Sequence, residues 1–320
     1  MQRSPGIVAH LIVGARPEPY LEAVLASIAG VCDHAVVNEN SGDASPVNLP
    51  VISASALAAS GRLTLLRTTF QDFSSARNAC IDATPPAFRD GWVLFVDADE
   101  VHGDELLRMA ALLPRLALRV DALDGYSRHF IGSFSWWRTI ERRLCFFRFG
   151  SQRGWTGAVH ERLGGLEERA VVPAVWFHYG HVVPPAREWE KSLQYSALGQ
   201  QGWTPEPSDL TAPSPQRVWR RHLREVLPYR GEHPAAVLST IAALSQAWRE
   251  TFAQVDAVAA KRPLRDRLAA QLRAMNYARM LALRTVEARV RWGWGTGSAP
   301  QRSVRERGPS VADAAGERRA

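Results

Sequence analysis

The sequence predicts an α/β protein with a mostly parallel sheet, helices on both faces of that sheet and a helical C-terminal extension. Short apolar segments alternate with helical patterns over the N-terminal part of the chain, which is the order found in parallel sheets with crossover helices. The segments lack the polar–apolar alternation of a half-exposed strand, so we expect them to be buried on both faces. Beyond residue 183 the apolar residues recur with helical spacing.

Four short apolar segments are the predicted strands of the N-terminal part, and they span residues 7–13, 34–38, 63–67 and 92–96. Between them, apolar residues spaced by three and four positions predict helices over 17–29 and 73–83. From Gly125 to Gly180 aromatic and basic residues are mixed. That texture is typical of antiparallel strands and of loops that border a site.

Three regions follow from these patterns. We expect an α/β domain over 1–185, a helical extension over 186–294 with a Pro-rich connection near 204–215, and a disordered basic tail over 295–320. The helices predicted in the extension span 187–201, 216–227, 235–260 and 264–292.

Composition excludes several classes of protein. The chain has 320 residues, of which 46% are hydrophobic and 22% charged, so it is neither disordered throughout nor collagen-like. Its three cysteines are scattered without a CxxC pair, which argues against a disulfide framework and a thiolate zinc site. No apolar run reaches the about 18 residues of a spanning helix, and the N-terminal run is too short for a signal peptide. We therefore expect a cytoplasmic protein.

The net charge of +7 is concentrated at the C-terminal end. Residues 261–320 hold 14 Lys or Arg against 5 Asp or Glu, whereas the other 260 residues hold 25 against 27. The near-neutral charge of residues 1–260 argues against a nucleic-acid-binding core. The basic end is instead a candidate for contact with an anionic surface.

Two carboxylates at the end of the fourth predicted strand form the sharpest local signal. Asp97 and Asp99 follow the apolar segment WVLFV and are separated by one residue. Ligands of parallel sheets gather at the carboxyl ends of strands, and hard cations such as Mg²⁺ or Mn²⁺ bind a few carboxylates together with substrate phosphates. The alternative is that these residues only end the strand and cap the following helix.

Four elements of the chain resemble the family 2 glycosyltransferases, which have a GT-A fold (Rossmann-like), and in particular a bacterial branch with a VHE element. The elements are VVNENSGD at 36–43, SSARNACIDA at 74–83, WVLFVDADE at 92–100 and WTGAVHERL at 155–163. They occur in the family's order and at plausible separations, and the resemblance extends to about residue 183. It implies a hexosyltransferase-like enzyme.

The resemblance implies a donor site for a nucleotide-diphosphate sugar. In the family, a divalent cation, Mn²⁺ or Mg²⁺, is held by the DxD motif, here Asp97 and Asp99, and bridges the diphosphate of the donor. Asp97 therefore also counts among the substrate-binding residues, and Arg77 is a further candidate for phosphate or base contact. The nucleoside element has Asn38, Glu39 and Asn40 where the family often has Asp-Asp-Gly. That departure leaves the base open, with UDP as the default.

The resemblance implies that the VHE element lies beside the acceptor site. An inverting transferase needs a group that takes the proton of the acceptor hydroxyl, and Glu161 is the predicted general base. His160 is predicted to orient Glu161 or to touch a phosphate, with a turn-capping histidine as the alternative. Trp155 is a candidate sugar contact. His178 is predicted to close over the diphosphate, although a packed histidine is the alternative, and a metal site with His181 lacks a third ligand in the sequence.

The segment 264–294 is amphipathic, basic and ends in two tryptophans, Trp292 and Trp294. Such a segment is typical of a helix lying on an anionic membrane surface, which would place the protein at the inner face of the plasma membrane. The alternative is a helix packed on the catalytic domain.

The combined prediction is an inverting glycosyltransferase that transfers a sugar to a hydroxyl of a glycan, a lipid-linked acceptor or a small molecule. Two alternatives stay open. One is a sugar nucleotidyltransferase, although VGARPEPYLE is a poor match to the Gly-rich loop of that class. The other is a non-catalytic GT-A-like module that docks at a membrane or a partner.

Overall fold

A mixed sheet forms the framework of the chain. The computed structural model describes residues 6–42, 44–116, 118–199 and 223–295. Within these ranges nine strands share one sheet, and β8 (Trp155–Thr156) and β9 (Arg162–Leu163) form a separate hairpin. The nine strands are β1 (Ile7–Val13), β2 (His34–Glu39), β3 (Leu63–Arg67), β4 (Trp92–Asp97), β5 (Glu100–Val101), β6 (Ala122–Ile131), β7 (Trp136–Arg148), β10 (Arg169–His181) and β11 (Leu227–Pro228).

The first four strands of the sheet are parallel, in the order β3-β2-β1-β4. Strand β7 then pairs antiparallel with both β4 and β6, β10 runs parallel to β6, and β5 and β11 form antiparallel edges. In this register Ile12 lies opposite Asn38 on one side and Asp97 on the other. The nucleoside element and the DxD motif therefore end at the same edge of the sheet.

Alternate residues of the central strands enter two hydrophobic clusters, as expected when both faces of a sheet are covered. Leu11 and Leu94 pack into the larger cluster with helices α1 and α5, whereas Val8 and Val93 pack against α4 on the opposite face. The helices are α1 (Leu21–Ala29), α2 (Leu49–Ser53), α3 (Ala56–Ala59), α4 (Phe73–Asp82), α5 (Asp104–Leu112), α6 (Pro185–Ala197), α7 (Leu238–Ala247), α8 (Arg249–Ala260) and α9 (Leu264–Trp292). The predicted α/β class with helices on both faces and a helical extension is confirmed.

The extension departs from its predicted pattern at one place. The helix expected over 235–260 is two helices, α7 and α8, because Trp248 leaves helical geometry at φ −114° and ψ 26°. Its side chain packs against the main core together with Phe252. The Pro-rich connection, most of the helix expected over 216–227 and the tail from residue 296 lie outside the described residues.

The last helix, α9, has the predicted extent and packs on the sheet domain, and one of its two buried residues, Ala288, belongs to the main hydrophobic core. A division of the chain at residue 185 stays a prediction. None of the described helices combines the length and apolar character that crossing a membrane requires. The three cysteines are buried and free of disulfide bonds.

Candidate functional site

A cavity of about 1050 Å³ opens at the carboxyl edge of the parallel strands. It lies outside the carboxyl ends of β1 and β4, between which the strand order β3-β2-β1-β4 reverses, and ligands of open α/β sheets bind at such a position. Most of the residues predicted from the sequence line it: Asn40, Arg77, Asp97, Asp99, Trp155, His160, Glu161 and His178. Asn38 and Glu39 do not.

Arg77 connects three of the sequence elements. Its guanidinium group pairs with Asp97 of the DxD strand and, through Nε, with Oε1 of Glu161 at 3.1 Å. It also donates to the carbonyl of Val96 at 3.2 Å and stacks on the ring of Phe95, 4.1 Å from the centroid. The side chain is only 3% exposed. Arg77 is therefore a buried organising residue rather than a surface arginine.

Asp97 is held between two arginines. Besides Arg77, Arg143 of β7 donates to Oδ2 of Asp97 at 2.7 Å. Burial alone would raise the pKa of Asp97, but the charges of Arg77 and Arg143 outweigh burial and hold the pKa below its usual range. Asp97 is consequently ionised, and both of its oxygens contact guanidinium groups.

Asn78, the residue that follows Arg77, fixes the loop that carries the VHE element. Its Nδ2 donates to the carbonyl of Trp155 at 3.0 Å, and its Oδ1 accepts from the N–H of Trp155 at 2.8 Å. Ser74 of the same helix donates to the carbonyl of Gly157 at 2.5 Å. Helix α4 thus holds the loop at Trp155 and at Gly157. The ARN motif contains this signal, but sequence reasoning used only its arginine.

The backbone turns sharply just before Glu161. Gly157 has φ +100°, and His160 has φ +56°, the one positive φ of a non-glycine residue among those described. A left-handed histidine costs conformational free energy and occurs mainly where the surroundings enforce it. The turn leaves His160 exposed at the cavity and brings Glu161 back to Arg77. This geometry agrees with a role for the turn in positioning the Glu161 carboxylate.

Trp155 is packed within the site. It is 6% exposed and stacks on Phe95 with ring centroids 4.9 Å apart. Trp155 also lines the cavity, and its contact with a sugar stays a prediction.

Asp99 faces two cationic or imidazole groups. Its Oδ1 lies 3.4 Å from Nε2 of His178, and its Oδ2 lies 3.6 Å from Nζ of Lys191. Burial would lower the pKa of Lys191, but neighbouring groups, Tyr195 and Asp99 first among them, raise it above its usual value. Lys191, one of two lysines in the chain, is thus a permanent positive charge in the cavity that sequence reasoning did not identify.

A third imidazole joins the two histidines of the FHYGH segment. Ring nitrogens of His129, His178 and His181 lie within 4.8 Å of one another. Burial first, and then neighbouring positive groups, lower the pKa values of His129 and His178 well below the usual range, so both rings are neutral. Neutral imidazole is the form that binds metal ions. His129 lies on β6, far away in sequence, which is why the third ligand could not be located from the pattern at 177–181.

These contacts indicate which side chains of the site could bind a divalent cation. A cation at Asp97 would have to displace a guanidinium group from one of its oxygens. Asp99 and the neighbouring imidazoles form the donor set that fits better, and imidazole donors favour transition metals such as Mn²⁺ over Mg²⁺. A metal-binding role for Asp97 stays a prediction.

The nucleoside element is mostly withdrawn from the cavity. Asn38 and Glu39 are fully buried, where Asn38 accepts from Thr68 at 3.0 Å and Glu39 accepts from Ser41 at 2.6 Å. Asn40 lines the cavity and donates to the hydroxyl of Thr68 at 2.7 Å. A nucleoside could reach Asn38 or Glu39 only if these partners moved, so their binding roles stay predictions.

The cavity carries an excess of positive charge. Its lining holds nine arginine or lysine side chains against five carboxylates. Arg142 and Arg169 both pair with the buried Asp124, at 2.7 and 2.6 Å, so one carboxylate serves two guanidinium groups. Low-dielectric walls strengthen such a field, and the cavity is suited to an anionic ligand.

The similarities of this chain to known proteins are distant. The sequence matches no protein-family model and no curated protein. Among solved structures, the chain is similar to a mannosyltransferase of Pyrobaculum calidifontis in complex with GDP-Man and Mn²⁺, at 14% identity over 92% of this chain and 89% of that one, with a TM-score of 0.41. It is also similar to residues 1–349 of S. aureus TarS in complex with UDP-GlcNAc, at 14% identity over 90% and 92%, with a TM-score of 0.38. Similarity at this level does not assign an activity to this chain.

Proposed function

We propose that the chain is an inverting family 2 glycosyltransferase that transfers a sugar from a nucleotide-diphosphate sugar to a hydroxyl acceptor in the cytoplasm. One observation carries the proposal: Arg77, Asp97 and Glu161, from three separate motifs, meet in a single ion-pair network beside the cavity. The three motifs are those that resemble one family, and nothing in their spacing along the sequence requires that their side chains lie together in space. Their convergence supports a shared site.

The donor diphosphate would bind on the Asp99 side of this network. Lys191 and Arg143 line the cavity there and supply positive charge that the diphosphate requires. As the bond from the anomeric carbon to the phosphate oxygen breaks, its electron pair passes to the leaving nucleoside diphosphate. Fixed cations near that oxygen stabilise the charge where it develops.

A divalent cation fits Asp99 with His178 and the two neighbouring histidines, His129 and His181. When bound, the cation would neutralise charge on the diphosphate. Asp97 would act mainly through its two arginines, holding Arg77 and Arg143 in place.

Glu161 is the proposed general base. The acceptor hydroxyl oxygen attacks the anomeric carbon while the Glu161 carboxylate takes the hydroxyl proton, which inverts the anomeric configuration. The left-handed turn at His160 and the hydrogen bond from Arg77 position this carboxylate. Acceptors with a glycan, lipid-linked or small-molecule hydroxyl all satisfy this chemistry.

A non-catalytic GT-A-like module is the second candidate, because both oxygens of Asp97 are already neutralised by arginine. A GT-A-like module that no longer bound a ligand would retain such internal ion pairs because they stabilise its fold. Binding of a nucleoside diphosphate separates the two candidates. The sugar nucleotidyltransferase alternative gains no support from the contacts at this site.

The experiment is a thermal-shift screen of UDP, GDP, CDP and ADP, each with and without Mn²⁺. A ligand that binds only the native state raises the melting temperature according to RT ln(1 + [L]/Kd). We expect one diphosphate, UDP by default, to raise it more with Mn²⁺ than without. Asp99→Asn should remove the Mn²⁺-dependent part of the shift, whereas Asp90→Asn, an exposed aspartate outside the cavity, should retain it.

Equal shifts for Asp99→Asn and the parent would contradict the metal assignment. Absence of any shift with all four diphosphates would contradict the transferase proposal and favour the non-catalytic module.

A further inference from the structure

Helix α9 presents a long apolar stripe to solvent. Seven large apolar side chains on this helix are between 51% and 81% exposed: Leu264, Leu268, Leu272, Met275, Leu283, Val286 and Val290. With Arg279 they recur at intervals of four, four and three residues. An 11-residue repeat of about 3.67 residues per turn keeps such positions on one side of a helix. The stripe therefore runs along nearly the whole helix, over about 40 Å at 1.5 Å per residue.

The opposite side of α9 is the one that packs on the protein. Ala270 and Ala288 are buried, at 1% and 0% exposure, and Tyr277 hydrogen-bonds Thr139 at 2.8 Å. At about 100° per residue these positions lie on the side of the helix facing away from the stripe. Packing thus uses two alanines, one tyrosine and, at the C-terminal end of the helix, Trp292, and it leaves the large apolar residues of the stripe without a partner among the described residues. The sequence analysis left two alternatives for this helix, packing on the catalytic domain and contact with a membrane surface. The structure shows packing on one face of α9, and the opposite face remains available for contact with a surface.

The two tryptophans do not contribute to this stripe. Trp292 and Trp294 are partly buried and pack against the main core. The prediction of a membrane-surface segment over 264–294 therefore does not gain support from these two tryptophans. The leucine, methionine and valine side chains of the stripe provide the apolar surface instead.

The charge around the stripe indicates the kind of surface that covers it. Residues 264–292 hold seven arginines against two acidic residues. Arg265, Arg279 and Arg289 are exposed, and Arg279 occupies a position of the apolar repeat itself. In a seam between two copies of α9, a guanidinium group at such a position would have to be buried among leucines, which is costly. At a lipid headgroup boundary its stem lies on apolar chains and its charge reaches phosphate.

We propose that this stripe binds an anionic membrane surface, with α9 lying in the plane of the headgroups. Apolar side chains enter the acyl boundary and the arginines contact lipid phosphates. The helix is adjacent to the cavity, because Glu225 pairs both with Arg273 of α9, at 3.5 Å, and with Arg138 of the cavity lining, at 2.8 Å. Docking through α9 would hold the cavity close to the membrane. The proposal does not depend on the reaction that the cavity performs.

The test is co-sedimentation of the full-length chain with vesicles of phosphatidylcholine containing phosphatidylglycerol, and with vesicles of phosphatidylcholine alone. We expect binding to the anionic vesicles, and weaker binding at high salt because exposed charges are screened. Leu272→Glu combined with Leu283→Glu should reduce the bound fraction at least about tenfold, since the lost apolar contact and the added negative charges act together. Both side chains are solvent-exposed, so melting temperatures should match the parent.

Leu118→Glu is the matched control, because Leu118 is 86% exposed and lies outside α9. Equal loss of binding in this control and in the double variant would overturn the assignment to the stripe. Absence of vesicle binding by the parent would overturn it as well. If the parent were a dimer by light scattering, and the double variant a monomer with no vesicle binding in either, the occupant would be a second copy instead.

Discussion

Glu161→Gln is expected to lower turnover by roughly 10²–10⁴-fold, which is the usual contribution of a positioned general base. Glutamine has the same shape and can still accept the hydrogen bond that Arg77 donates at 3.1 Å. It cannot take a proton from the acceptor hydroxyl at neutral pH. The diphosphate site should be preserved, because Arg77 retains Asp97 as its second partner and Asp97 retains Arg143.

Nucleoside diphosphate binding provides the second measurement. The substitution removes a negative charge next to an anion-binding cavity, so the affinity should stay the same or rise slightly. Steady-state turnover and calorimetric titration with UDP therefore give a combined result: kcat falls and Kd does not increase. This prediction rests on the proposed transferase function.

Glu141→Gln is the matched control, since Glu141 is a second carboxylate that lines the same cavity. Its side chain is 52% exposed and lies 3.6 Å from His129. We expect a change of less than about tenfold in turnover for this variant. A large loss for Glu141→Gln with parent-like turnover for Glu161→Gln would assign the base to Glu141. A weaker Kd in Glu161→Gln would place Glu161 in the donor site.

The framework of the fold could be predicted from the sequence because its strands are short, apolar and alternate with helices. Strands β1 and β3 have the predicted bounds, and so does α9. The short helices α2 and α3 were not predicted, since segments of five and four residues carry too little periodicity to detect. The parallel pairing of β10 with β6 depends on long-range contacts that no local pattern records.

The site was predictable where its residues belong to motifs and unpredictable where they meet only in space. Asp97, Asp99 and Glu161 were identified from their motifs, and they lie at the cavity. Arg143 and His129 come from strands whose sequences resemble ordinary aromatic and basic strand residues, and only the β6–β7–β10 pairing brings them to the DxD motif. Charge pairing across such distances cannot be read from spacing.

Arg77→Met is expected to destabilise the fold by about 3 kcal/mol or more at neutral pH, within the range observed when one partner of a buried ion pair is removed. Methionine retains much of the apolar volume that packs on Phe95. The loss therefore comes mainly from charge: Asp97 and Glu161 are largely buried, and both lose their shared guanidinium group. Arg143 still pairs with Asp97 at 2.7 Å and limits the cost.

Arg119→Met is the control for loss of an arginine ion pair at the surface. Arg119 is 76% exposed and pairs with Glu168 at 3.2 Å, and exposed pairs contribute about 0–1 kcal/mol. Urea denaturation at neutral pH should therefore separate the two variants clearly. If Arg77→Met cost no more than Arg119→Met, the network at the cavity would not hold the motifs together.

The pH dependence distinguishes loss of charge compensation from loss of packing. In the parent the pKa of Asp97 is depressed, so its contribution to stability is present above the unfolded-state pKa and is lost as the pH falls through the folded-state value. Without Arg77 the folded-state pKa of this carboxyl rises, and its protonation relieves the buried charge at a higher pH. The difference in unfolding free energy between parent and Arg77→Met should consequently shrink as the pH is lowered from about 8 toward about 4, near the unfolded-state pKa of aspartate. A difference that stayed constant across this range would mean that Arg77 stabilises the fold through its packing on Phe95 and its hydrogen bond to Val96, and that the ion pairs with Asp97 and Glu161 contribute little.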